Sequence, residues 1–114
     1  MENHTELSLS DLRRYIIRYG AKYMEAFESD LYYDCKAVEE LNPGESVFWM
    51  VSAMHTPLYS SKEIHEKNLS VPTIAGNRFN YLITCVDRHN YSMKRVGDFE
   101  IAMLVNKYQS TLAI

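Results

Sequence analysis

The eight residues from Val47 to Met54, VFWMVSAM, constrain the fold more than any other stretch of the chain. They are rich in β-branched and aromatic side chains and too short for a typical isolated helix. Val47, Trp49 and Val51 fall on one face of an extended segment, with Phe48 and Met50 on the other. A strand that is apolar on both faces belongs in the middle of a sheet.

Residues 79–87 alternate in the same way, with Phe79, Tyr81, Ile83 and Cys85 opposite Asn80, Leu82, Thr84 and Val86. Arg88-His89-Asn90 forms a hairpin connection, and residues 91–96 return as its second strand. The next segment fits two templates. Phe99, Ile101, Met103 and Val105 alternate as in a strand, whereas Ile101, Leu104, Val105, Tyr108 and Leu112 line one face of a helix that Asp98 could cap. We expect a third meander strand through Val105, followed by an irregular or helical tail.

The first half reads as helical. Ser8 or Ser10 caps a helix in which Leu12, Ile16, Tyr19, Tyr23 and Phe27 recur at spacings of three and four, which predicts about five turns. Ile17, Met24 and Leu31 suggest a second apolar side. Gly20 inside this helix costs roughly 1 kcal/mol relative to alanine. Residues 34–41 predict a short second helix with Cys35, Val38 and Leu41 inward, ended by Asn42-Pro43-Gly44. Leu58-Tyr59 reads as a short strand, and Ser60 or Ser61 caps a brief helix over residues 62–67. Residues 69–74 read as extended, with a turn at 75–77. Together these elements predict one α+β domain over residues 1–114, with N-terminal helices packed on a small, mostly antiparallel β-sheet of three to five strands.

At 114 residues the chain is of ordinary size for one domain. No stretch approaches the roughly 18 apolar residues of a membrane span, and the N-terminus lacks the charge order of a secretory signal. Cys35 and Cys85 are the two cysteines and form no CxxC, so reduced core thiols in a cytoplasmic protein are expected.

The net charge of −3 is unevenly spread: residues 29–45 carry five acids and one base, and residues 46–114 five acids and seven bases. The acidic block Asp30, Asp34, Glu39, Glu40 and Glu45 disfavours phosphate backbones, so nucleic-acid binding would need the basic groups gathered elsewhere.

Catalytic chemistry finds little to build on. The four histidines form no HxxxH or HxH pattern; a metal site joining His55 and His65 with Asp34 or Glu39 would require convergence that spacing does not supply. Asp30 and Asp34 stand one turn apart, and paired carboxylates can divide acid and base roles, but their acidic, tyrosine-rich surroundings fit a solvated face better. Cys35 and Cys85 lack a neighbouring base, and no phosphate loop or nucleophile elbow occurs. No cofactor or metal is expected.

The basic and aromatic first helix carries the functional expectation. Arg14, Arg18 and Lys22 repeat every four residues beside Tyr15 and Tyr19, in a chain with nine tyrosines. Tyrosine serves equally as core filler and as a rigid contact surface. The expected function is a small non-enzymatic interaction or adaptor protein that contacts an unidentified protein, or itself, through these five residues. A nucleic-acid-associated protein is the first alternative, and a small hydrolytic or metal-dependent enzyme the second. Arg78, Arg88, Lys94 and Arg95 offer a second basic patch, although Lys94 and Arg95 point to opposite faces of their strand.

Overall fold

The computed structural model describes residues 4–51, 55–67 and 79–112. In chain order the elements are β1 (His4–Ser8), α1 (Leu9–Tyr23), α2 (Glu28–Glu39), β2 (Ser46–Val51), α3 (Ser61–Glu66), β3 (Phe79–Cys85), β4 (Asn90–Val96) and α4 (Asp98–Leu112). The strands form one antiparallel sheet in the order β1-β4-β3-β2. The fold is α+β, as expected, with the N-terminal helices on one face of the sheet.

Both faces are covered. Trp49, Ile83 and Met93 bury themselves against Leu12 and Ile16 of α1 and Leu31 and Val38 of α2. On the opposite face Phe48 and Val96 meet Ile64 of α3 and Ile101 of α4. Each large apolar side chain so enclosed contributes about 1.5–3 kcal/mol, and β2 delivers such side chains in both directions.

β2 nevertheless lies at the end of the strand order, not in the middle as its composition suggested. Its outer edge is covered by residues 55–60 instead of by a full strand. Phe48 N donates to Tyr59 O at 2.7 Å, Tyr59 N donates to Phe48 O at 3.3 Å, and Leu58 is buried in the α1–α2 side of the core. The expected Leu58-Tyr59 strand is thus a single bridge at Tyr59. The strand itself ends at Val51, and residues 52–54 lie outside the described residues, as do the expected extended segment at 69–74 and turn at 75–77.

Local signals account for the helix starts. Asp11 N donates to Ser8 Oγ at 3.1 Å, which fixes Ser8 as the cap of α1. Ser60 and Glu63 form a reciprocal capping box at α3. α1 stops after about four turns, not five, because Phe27 leaves its stripe to become the cap residue of α2 and is 79% exposed. There Phe27 N donates to Asp30 Oδ2 at 3.0 Å, so α2 begins at Glu28, well before the expected Asp34. Gly44 takes φ +90, a backbone state that glycine accepts, and turns the chain into β2.

A further expectation is overturned. Residues 98–112 are helical, not a meander strand through Val105. Phe99 and Met103 of the alternating set are exposed, whereas Ile101 is fully buried and Leu104 and Val105 pack beside it, which is the helical spacing. Residues 4–8, assigned no element from the sequence, form β1, an edge strand whose His4 pairs with Lys94 and Ser8 with Asn90. Among the described residues no helix is long and apolar enough to cross a membrane.

Gly20 marks the closest approach of the two N-terminal helices. A Cβ there would collide with Leu31 Cδ2 and crowd Met24 Cε at 3.3 Å, so the missing side chain is what lets α2 lie against α1. Gly20→Val is expected to destabilise the fold by about 2 kcal/mol through overpacking, measured by urea unfolding. Helix propensity alone predicts the opposite sign, since valine exceeds glycine in a helix interior.

Candidate functional site

α1 turns its aromatic stripe toward the sheet. Tyr15 and Tyr19 stack with ring centroids 4.4 Å apart, and both meet the edge of Trp49 at 6.0 and 6.3 Å. Tyr81 of β3 closes the group from the sheet, 5.5 Å from Trp49. The four rings hold one another in fixed orientations, Trp49 buried and the tyrosines half-buried. Burial pushes the Tyr15 hydroxyl well above the ordinary phenol range, and the adjacent Tyr19 and Tyr81 hydroxyls add to the shift. Tyr15 is therefore a neutral hydrogen-bonding group, not a base.

Arg14, Arg18 and Lys22 stand exposed along the neighbouring edge of α1. Arg14 lies 3.7 Å from Asp11, a loose surface pair, and Lys22 Nζ sits 5.1 Å from the centre of the Tyr23 ring. The five residues singled out from the sequence are thus gathered on one helix as two adjoining strips, one cationic and wet, one aromatic and partly dry. Arg13 points toward α2 instead, where it binds Glu39 at 2.9 Å.

The second basic patch does not assemble. Lys94 is on the α3–α4 face and pairs with Glu100 at 3.7 Å, Arg88 lies in the loop of the hairpin, and Arg78 is outside the described residues. Arg95 is opposite Tyr81 in the β3–β4 register and shares its face, so it belongs with the α1 side. Tyr81 meets α1 as its strand alternation suggests, and Arg95 is the contributor that sequence alone did not attach to α1.

Separate from this surface, His55 Nε2 lies 2.8 Å from Asp34 Oδ2, joining the residues after β2 to α2. Asp34 is only 3% exposed, because it occupies an inward position of α2 beside Leu31, Cys35 and Val38. The expected Asp30 and Asp34 pairing is dissolved: Asp30 caps its own helix, and Asp34 turns to His55. Desolvation raises the Asp34 pKa from 3.8 to about 6 despite the opposing effects of the His55 hydrogen bond and charge; the Asp30 charge adds a smaller upward push. At neutral pH the carboxyl is ionised and accepts the His55 ring proton.

This pair resembles the orienting half of a catalytic constellation, but its neighbours are otherwise engaged. The Cys35 thiol donates to Arg13 O at 3.8 Å and is pushed up by burial, and the Thr56 hydroxyl donates to Met50 O at 3.4 Å. Cys85 is buried too and donates to Asp87 O. His65 lies on α3, across the sheet from α2. No group of three or more His, Cys, Asp or Glu side chains able to hold a metal occurs among the described residues.

The sign of the Asp34 contribution follows from its raised pKa. The native state holds this proton more tightly than the unfolded chain, so stability rises as pH falls from about 6 to 3.8. The gain is on the order of 3 kcal/mol at most, and Asp34→Asn is expected to remove it from the pH profile of the melting temperature. His55→Ala deletes both effects that lower the Asp34 pKa, and carbon-detected NMR titration should then place the Asp34 midpoint above 6.

Comparison with protein-family models, with curated proteins and with solved structures returns no significant match, so the functional reading rests on the geometry of these residues.

Proposed function

We propose that the chain is a small non-enzymatic protein-interaction module that docks an acidic protein segment through α1. The observation that carries this reading is the stacked Tyr15–Tyr19 pair, braced on Trp49, directly beside the exposed row Arg14, Arg18 and Lys22. Rings already held in place lose little conformational freedom on binding, and cations beside them supply charge-assisted hydrogen bonds to carboxylates. Arginine and tyrosine are also the residue types that dominate binding energy at interfaces. The two buried, free thiols support a reducing, cytoplasmic setting.

Nucleic acid ranks second as a ligand because α2 sets Glu28 and Glu39 beside the basic helix, where they repel phosphates. A hydrolytic role ranks third. The Asp34–His55 pair is the feature in its favour, and it is closed beneath α2.

Replacing Arg14 and Arg18 together by glutamate is expected to weaken binding of a labelled, glutamate-rich peptide at least about tenfold, measured by fluorescence anisotropy. The Arg88→Glu control in the hairpin loop should bind as the parent does. Equal affinity of all three proteins would remove α1 as the docking surface.

A further inference from the structure

The outer side of the α1–α2 layer divides its charge by helix. α1 presents Arg14 and Arg18 to solvent, and α2 presents Glu28 and Glu40. Large apolar side chains are exposed on the same two helices: Ile17 is 46% exposed, Tyr32 51% and Tyr33 68%. A cleft of about 150 Å³ follows the junction, walled by Ile17, Leu31, Tyr32 and Cys35 with the charged Arg13 and Glu28. These are large side chains to leave in water together, and their arrangement is self-complementary.

We propose that this face pairs with a second copy of the chain, about a two-fold axis running along the cleft between the helices. The proposal deepens the reading of α1 as a docking helix and depends on it, naming the acidic partner as α2 of another molecule. The short connection between α1 and α2 makes them antiparallel, with Arg13 reaching Glu39 at one end and Gly20 meeting Leu31 toward the other.

A two-fold along the cleft lays α1 of each copy over α2 of the other. Arginines then face glutamates twice, once on each side of the axis. A two-fold across the helices would instead lay α1 on α1 and oppose like charges, so the charge division selects one geometry. Ile17 and Tyr32, which wall the cleft, fall at the centre, where aromatic and apolar side chains contribute most, with Arg14, Arg18 and Glu40 further out. Lys36 is the one base within the α2 row, and its Nζ already lies 5.9 Å from the centre of its own Tyr32 ring.

The test is a charge-swap pair followed by sedimentation equilibrium on the full chain. The parent should show a concentration-dependent monomer–dimer equilibrium that weakens as salt is raised. The double variants Arg14→Glu/Arg18→Glu and Glu28→Lys/Glu40→Lys should each dimerise at least about tenfold more weakly. Mixed in equal amounts they should recover a heterodimer near parental affinity, because both rims then pair opposite charges.

Ile17→Ser, at a half-exposed position, should weaken the dimer and abolish the concentration dependence of the melting temperature, the dilute protein melting close to the parent. Circular dichroism and melting curves of the swap variants confirm that each is folded. A parent that stays monomeric at all concentrations, or a mixture of folded variants that fails to pair, would overturn the self-association. Either result leaves the acidic-peptide measurement to decide the docking role of α1 by itself.

Discussion

The structure depends on the burial of Trp49 from both its strand and its helix neighbours. β2 projects apolar side chains from both faces, which forces helices onto each side of the sheet. On one side the indole ring is also the surface against which Tyr15, Tyr19 and Tyr81 come to rest. This contact fixes the rotation of α1 about its own axis. Once those tyrosines face inward, the helical repeat leaves Arg14, Arg18 and Lys22 nowhere to point but outward. The same packing that closes the core therefore sets the charged surface. It has a cost, since the Trp49 Nε1 is buried without a hydrogen-bond partner among the described residues, about 1–3 kcal/mol. Aromatic contacts worth about 0.5–1.5 kcal/mol each offset that loss.

Much of this was legible wherever a local pattern carried the information. The alternation in β2 and β3, the Ser8 and Ser60 caps and the inward stripe of Leu12, Ile16 and Tyr19 are short-range signals, and the structure follows them. Elements decided by distant partners were not legible. β1 has one apolar residue, Leu7, in five, and it is a strand because β4 offers it an edge. Residues 99–105 satisfy both periods, and the choice fell to the polar anchor Asn80–Asp98 and to the space for Ile101 beside Ile64 and Phe48. The start of α2 was missed because its cap is an aspartate reaching back to a phenylalanine amide, not a serine or threonine ahead of the helix.

The site divides along the same line. The five α1 residues share one element, so helical spacing alone placed them relative to each other. Tyr81 and Arg95 join through strand register, and the Asp34–His55 pair spans α2 and the residues that cover β2. Both residues of that pair were visible as candidates. Only their meeting was hidden, although the Leu31, Cys35 and Val38 pattern would have put Asp34 on the inward side had the helix been started at Glu28.

β1 precedes the other described elements, yet every one of its sheet partners lies in β4. β1 therefore has no sheet partner until β4 is in place. α1, α2 and β2 can associate early through local contacts, whereas closing β1 onto β4 joins segments separated by most of the polypeptide and carries the largest loop-closure entropy. Completion of the sheet is thus a late step of folding, and the inner edge of β1 stays bare until β4 reaches it.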